Sequence, residues 1–294
     1  MRVFYVLRQH LARRVYGAPQ ALIHRRLPVH IEVPILDHQQ VGDAIYRLTL
    51  GSTVIADFAA PGQFVQLLYH GPHTPSMRRP FSIHDVDRHK GTFQIIYAAR
   101  GTFTSGMTHL RAGESLSVVG PLGQSFKLFD DPITQHIAVA GGVGAPPLHF
   151  FMKRCAETDF GHNLTAIVGA RTAGQLVVPE DFAALDIRLI LATDDGSAGR
   201  KGTVLTILED TVTNPIATAV YACGPEPMLR AVGTFCTERS IACRLSLETV
   251  MPCGTGVCMG CVVKVRSKAY SDGFEYVRAC SEGPIFNAED ILWD

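Results

Sequence analysis

Residues 136–148 read His-Ile-Ala-Val-Ala-Gly-Gly-Val-Gly-Ala-Pro-Pro-Leu, and the order of residue types there carries the fold. The apolar run predicts a strand covered on both faces, the glycines bring the backbone round, and the stretch PLHFFMKRCAE behind the prolines predicts a helix. Further apolar runs follow at LTAIVGA (164–170), IRLILATDD (187–195), TAVYACGP (218–225) and ACRLSLE (242–248), separated by helical stretches such as PMLRAVGTFCTERS (227–240). This alternation predicts a doubly wound parallel sheet over residues 131–248.

Open α/β sheets bind ligands at the carboxyl ends of their strands. The turn formed by Gly141, Gly142, Gly144, Ala145 and Pro146 admits a dinucleotide pyrophosphate against the backbone and the helix N-terminus. It departs from the G-x-G-x-x-G fingerprint, and glycine turns also serve tight strand–helix packing. The strand ending Cys223-Gly224-Pro225-Glu226-Pro227-Met228 comes out at the same edge, so both motifs are expected to face one crevice. Cys223 reads equally as a nicotinamide contact or as a packing thiol. Arg171 can meet a 2′-phosphate, yet arginines after such strands are common without that role, and NAD against NADP stays open.

Toward the C-terminus, CGTGVCMGC (253–261) and Cys280 give the spacing C-x4-C-x2-C-x18-C. This is the plant-type ferredoxin pattern for a [2Fe-2S] cluster. The thiolates of Cys253, Cys258, Cys261 and Cys280 satisfy two irons, while Gly254, Gly256 and Gly260 let the loop wrap closely and aim amides at the sulfurs. Zinc and disulfides are the alternatives. Zinc knuckles usually pair two short Cys ribbons, whereas here the fourth cysteine stands alone, and disulfides belong to oxidising compartments. Residues 249–294 are too few to hold a core without such a staple. Cys155, Cys236 and Cys243 sit in apolar contexts and read as packing.

Toward the N-terminus, residues 30–130 change to short strand-like runs, among them HIEVPILDHQQ, AIYRLTLGS, GQFVQLLYH, TFQIIYAAR and SLSVVGPLG, broken by turn residues. They predict an antiparallel β-barrel. Within it, Arg78-Arg79-Pro80-Phe81-Ser82 joins a cation, a fixed turn, an aromatic ring and a hydroxyl. Arg79 can pair with a pyrophosphate, Phe81 can pack on a ring, and Ser82 can hydrogen-bond an isoalloxazine edge. The alternative is an Arg-Pro turn entering an ordinary strand. Tyr97 adds a second aromatic, and Arg100-Gly101-Thr102 a turn suited to phosphate. Residues 1–29 hold arginines but no acidic residue, with Phe4, Leu7, Leu11 and Val15 at helical spacing. They read as a basic amphipathic helix docked on protein. Membrane-surface contact or an organellar presequence would be the other readings, the latter weakened by the lack of Ser and Thr.

Bulk properties narrow the class. With 27 basic and 27 acidic residues the formal charge is zero, so no whole-molecule field draws the chain to nucleic acid. No window nears the roughly 18 apolar residues of a membrane span, and the first residues lack a secretory h-region. A cytoplasmic location without integral membrane contact is expected.

The RPFS segment, the GGVGAPPL turn, the CGPEPML strand end and the trailing cysteine cluster, in that order, resemble the ferredoxin–NADP reductase superfamily. The tail from LETVMPCGTGVCMGCVVKV to YVRACSEGPIFNAEDILWD is similar to that of electron-transfer subunits of two-subunit dihydroorotate dehydrogenases, and the likeness covers about residues 30–294. The resemblance implies an FAD-binding barrel, an NAD-binding domain and a small C-terminal [2Fe-2S] domain. It also implies an FMN-containing catalytic subunit as partner, in a heterotetramer with two copies of each chain. FAD contacts would fall on Arg79, Pro80, Phe81, Ser82, Ile96, Tyr97, Ala98, Gly101 and Thr102. Such families usually carry a basic residue just after the Tyr; Ala98 stands there instead, leaving Arg100 to serve the phosphates. The implied activity passes electrons from dihydroorotate through FMN, cluster and FAD to NAD+, with no substrate carboxylate site on this chain. Sister reductase subunits of a hydrogenase, a sulfide dehydrogenase or a ferredoxin:NADP transhydrogenase would hold nearly the same cofactors.

Overall fold

The computed structural model describes residues 28–71, 76–129, 133–157 and 163–293. The basic helix expected near the N-terminus lies outside them. Six strands, β1 (Val29–Gly42), β2 (Ile45–Gly51), β3 (Phe64–Leu68), β4 (Arg79–Asp87), β5 (Thr92–Ala98) and β6 (Ser115–Leu122), close into an antiparallel barrel ordered β1-β2-β5-β4-β3-β6. Alternate residues along every strand turn inward, as the two-residue period of a strand requires. Val33 and Ile35, Leu48 and Leu50, Val65 and Leu67, Phe93 and Ile95, and Leu116 and Val118 fill the interior with almost no exposure. Helix α1 (Thr53–Phe58), capped by Ser52 Oγ accepting from the Ile55 amide at 3.2 Å, adds Ile55 and Ala56 to this core, and α2 (Thr102–Met107) adds Phe103 and Met107.

The second sheet holds β7 (Gln135–Gly141), β8 (Leu164–Ala170), β9 (Arg188–Thr193), β10 (Arg200–Lys201), β11 (Thr218–Cys223) and β12 (Ala242–Ser246), all parallel. Its order is β10-β9-β8-β7-β11-β12-β15, where β15 (Ile285–Asn287) lies antiparallel on β12. Chain order reverses between β7 and β11, which makes the gap between their carboxyl ends the topological switch point. Helices α3 (Ala145–Ala156), α4 (Pro179–Ala183), α5 (Val204–Thr211) and α6 (Glu226–Glu238) cover the faces. The strand pair β13 (Val262–Arg266) and β14 (Phe274–Arg278) carries the cysteine segment, and β15 shows that the cysteine-bearing tail also completes the nucleotide sheet. Among the described residues no helix is long and apolar enough to cross a membrane.

Barrel and sheet meet along α3. Phe150 enters the barrel core, while Leu148, Phe151 and Met152 enter the sheet core. Polar contacts join the two from both sides: Lys153 Nζ lies 2.6 Å from Asp85 Oδ2, and Asp181 Oδ2 of α4 takes Arg47 Nη2 at 2.5 Å and His84 Nε2 at 2.8 Å. His84 stacks on His149 of α3 with ring centroids 4.4 Å apart. Burial, and then the neighbouring His84, push His149 down to about 4, against the pull of Asp181 and Asp85.

A histidine whose folded pKa lies below its unfolded value near 6.5 takes up a proton on unfolding between those two values. Stability contributed by neutral His149 is therefore complete above pH 6.5 and lost as pH falls toward about 4. The expected loss is on the order of 2 kcal/mol. Asp181, whose pKa is lowered by His84 and Arg47 despite burial, loses its share only below the ordinary carboxylate pKa. Urea midpoints measured from pH 7 to pH 4.5 should fall for the wild type and fall less for His149→Gln; parallel curves would refute the assignment.

Candidate functional site

At the switch point the glycine turn leaves β7 through Gly141 and Gly142, the latter at φ +52. Gly144 lies against the end of β11: a Cβ there would stand 2.1 Å from the Cys223 carbonyl oxygen and 2.5 Å from the Gly224 nitrogen. Only a residue without a side chain lets the two strand ends approach this closely. The crevice between them has a volume of about 710 Å³ and is lined by Gly141, Gly142 and Pro225, with Arg171, Asp194 and Arg100 supplying charge. Gly144, Ala145, Pro146 and Gly224 are buried beneath it and do not line it. Arg171 does line the crevice, opposed by the carboxylate of Asp194.

A second cavity, of about 280 Å³, opens where the three parts of the chain meet. Pro80, Phe81 and Ser82 of β4, and Ile96, Tyr97 and Ala98 of β5, form its barrel wall, with Phe64 of β3 beside them. Tyr97 is held in place: its hydroxyl lies 2.9 Å from His38 Nε2, and its ring stacks on Tyr46 at 5.4 Å. The opposite wall comes from the sheet edge. Register puts Cys223 beside Ser246 on the adjacent strand, and both face the cavity together with Leu247 and Glu248. Burial pushes the Cys223 thiol up to about 12, so it is neutral at physiological pH. Glu248 stands at the mouth; the protein around it raises its pKa, and Arg100 opposes the rise.

Arg100 lines both the cavity and the crevice. Arg79 lies at the edge, its guanidinium 5.7 Å over the Phe103 ring and donating to the Met77 and Arg78 carbonyls at 3.1 Å, without lining the cavity. Gly101 and Thr102 begin α2 beside it, outside the lining. The amides of Arg100 and Gly101 donate to Thr104 Oγ1 at 3.0 and 3.1 Å, and Thr104 itself lines the cavity. Thr104, Ser246, Glu248 and Met251 went unread in the sequence. Glu248 had a usable signal, since it follows β12 at the same carboxyl edge as Gly141 and Cys223.

The cysteine loop closes the third side, with Met251 and Pro284 lining the cavity. All eight cysteines are free thiols. Each of Cys253, Cys258, Cys261 and Cys280 receives a backbone amide on its sulfur, from Thr255 at 3.5 Å, Gly260 at 3.4 Å, Cys280 at 3.4 Å and Gly256 at 3.2 Å respectively. Gly254 and Gly256 sit at φ +71 and +82, which aims those amides inward. Burial raises Cys253, yet the surrounding amides bring it down to about 6, whereas burial and then Cys261 push Cys280 up to about 12. Four cysteine sulfurs, each with an amide donor, have the chemistry of an iron–sulfur ligand set. Arg278 braces the loop, donating to the Gly256 carbonyl at 2.8 Å while paired with Glu282.

Known proteins resemble this chain. Residues 248–292 match the family described as the iron-sulfur cluster binding domain of dihydroorotate dehydrogenase B, and residues 138–234 match the oxidoreductase NAD-binding domain. The dihydroorotate dehydrogenase B (NAD(+)) electron transfer subunit of Desulforamulus reducens is 32% identical over 263 residues, covering 90% of this chain and 98% of that one. Its counterpart from Geobacillus thermodenitrificans is 34% identical, covering 88% and 96%. The structure of an NADH-dependent reduced ferredoxin-NADP oxidoreductase, described for flavin-based electron bifurcation, superposes with a TM-score of 0.76 at 27% identity, covering 89% of this chain and 90% of that one. A ferredoxin NADP+ reductase from Neisseria gonorrhoeae with bound FAD and NADP shares the fold at a TM-score of 0.58 and 16% identity, covering 71% and 91%.

The close approach at Gly144 gives a direct test. Gly144→Ala should cost about 1–3 kcal/mol of stability through overpacking. Gly142→Ala meets nothing within 4 Å and should cost only the roughly 1–2 kcal/mol of its left-handed backbone. Denaturant titration of the two variants compares them, and equal stability of G144A and wild type would show that the contact is not tight.

Proposed function

The chain belongs to the electron transfer subunits of dihydroorotate dehydrogenase B (NAD(+)), and from that premise we propose that its small cavity holds the isoalloxazine of FAD, its crevice NAD(H) and its cysteine loop a [2Fe-2S] cluster. The observation that carries this reading is the single cavity walled by barrel strands, by the carboxyl edge of the nucleotide sheet at Cys223, and by Met251, two residues before Cys253. Bound there, FAD exchanges hydride with a nicotinamide and single electrons with an iron–sulfur centre.

The protein's part is placement. Tyr97, fixed by His38 and Tyr46, gives a rigid aromatic wall, while Phe81, Val143 and Leu247 keep water from the ring face. Ser82 offers a hydroxyl beside it. Cys223, neutral and buried, supports the nicotinamide by packing rather than by attack. Arg100, reaching both spaces, answers the phosphates in place of the basic residue absent at Ala98. Asp194 in the crevice disfavours a further phosphate and so favours NAD over NADP. No group on this chain has to accept a proton from dihydroorotate, whose oxidation belongs to an FMN-containing catalytic subunit.

That subunit docks on the cysteine loop. Cys258 is exposed, and in the same segment Val250, Val257 and Met259 are 78%, 81% and 52% exposed, apolar side chains left open to a partner. Met259 also sits at φ +56, a conformation that L residues avoid. The assembly contains two copies of each subunit and works in the cytoplasm.

Two experiments bear on this. Cys258→Ala should abolish the EPR signal of the reduced cluster and electron delivery to the catalytic subunit, while NADH still bleaches the flavin; unchanged cluster content would refute the ligand assignment. Val257→Asp should weaken association with the catalytic subunit by tenfold or more, about 1.4 kcal/mol, in analytical ultracentrifugation, with NADH oxidation by a dye acceptor unchanged. Wild-type affinity would place the interface elsewhere.

A further inference from the structure

Gln66 lies in the middle of β3, between Val65 and Leu67, and has no exposed surface. A fully buried amide is costly unless its hydrogen bonds are met. Its Nε2 donates to the Met251 carbonyl at 2.7 Å, joining the barrel to a segment 185 positions away. Its Oε1 is buried without a protein partner. On the far side Gly254, at φ +71, rests on the same side chain: a Cβ there would lie 2.5 Å from Gln66 Cγ and 2.7 Å from Nε2. Phe64, two residues earlier and on the same strand face, lines the flavin cavity, as does Met251. Cys253 lies between the two loop residues that Gln66 touches.

We propose that Gln66 is a positioning residue for electron transfer, fixing the separation between the flavin cavity and the cysteine loop by tying Met251 to β3 and seating Gly254. The inference rests on the reading of the cavity as a flavin site and the loop as a cluster site. Electron transfer between fixed centres weakens exponentially with distance, so a small outward movement of the loop slows the flavin-to-cluster step. Hydride transfer from NADH occurs on the other side of the flavin cavity, at Cys223, and does not feel that movement. The core shared by Phe64, Leu122, Met251, Cys261, Ala279 and Cys280 holds the loop in place generally. Gln66 adds direction, because a hydrogen bond fixes an atom where apolar packing fixes only a volume.

Gln66→Met keeps length and approximate volume but removes the donor. In the cofactor-loaded chain, stopped-flow absorbance should show flavin reduction by NADH at the wild-type rate. Freeze-quench EPR should show cluster reduction slowed roughly tenfold or more. The EPR line shape of the dithionite-reduced cluster should change, and amide exchange over residues 251–256 should quicken whether or not iron is bound. Gln66→Asn, which keeps the amide but falls short of Met251, should behave likewise. Wild-type cluster reduction in Q66M overturns the proposal, as does equal slowing of both steps or failure of both variants to fold with flavin. If the wild type itself carries no reducible cluster, it is the functional reading that fails instead.

Discussion

The two-sided burial of α3 is the contact on which the remaining geometry depends. Its Phe150 completes the barrel core, while Leu148, Phe151 and Met152 complete that of the sheet, so neither core closes without the same helix. Burying one such aromatic contributes roughly 2–3 kcal/mol. Because α3 starts immediately after the glycine turn, fixing it against the barrel also fixes the carboxyl ends of β7 and β11 opposite β4 and β5. The small cavity is a by-product of that docking. Lys153–Asp85 and the Asp181 contacts to Arg47 and His84 set the angle at which the two bodies meet, where the apolar seam alone would permit sliding.

Within that frame charge is used sparingly. The cavity wall consists of aromatic and aliphatic side chains with the hydroxyls of Ser82, Thr104, Ser246 and Thr249 and a protonated thiol; Arg100 and Glu248 remain at the mouth. Such a lining would hold the planar ring proposed for it without fixing its protonation state. At the cysteine loop the polarity comes from the backbone instead. Backbone amides face the four sulfurs, and such donors would make a reduced cluster held there easier to reach.

Much of this was legible in the sequence wherever the signal was local. The apolar runs of the nucleotide sheet fall on β7, β8, β9, β11 and β12 because parallel strands buried on both faces are apolar throughout. The cysteine spacing pointed to an iron–sulfur centre, and residues 248–292 match an iron-sulfur cluster binding domain. Contacts between distant segments were not legible. Nothing near Gln66 announces a bond to Met251, and nothing near His84 announces Asp181. The composition of the turn likewise gave no sign that Gly144 lies against the end of β11. Nothing near Arg79 announces that its side chain lies over Phe103.

The strand β15 has a consequence for modularity. Residues 285–287 leave the cysteine-bearing segment to pair with β12, so the tail is sewn into the nucleotide sheet instead of being strung after it. A chimera cut between the sheet and the first cysteine would deprive β12 of its neighbour and present an open edge to other chains, a template for aggregation. A graft that moves this redox tail onto another reductase has to take β12 with it, or supply a replacement edge strand. Lineages that recombine such parts face the same cut site.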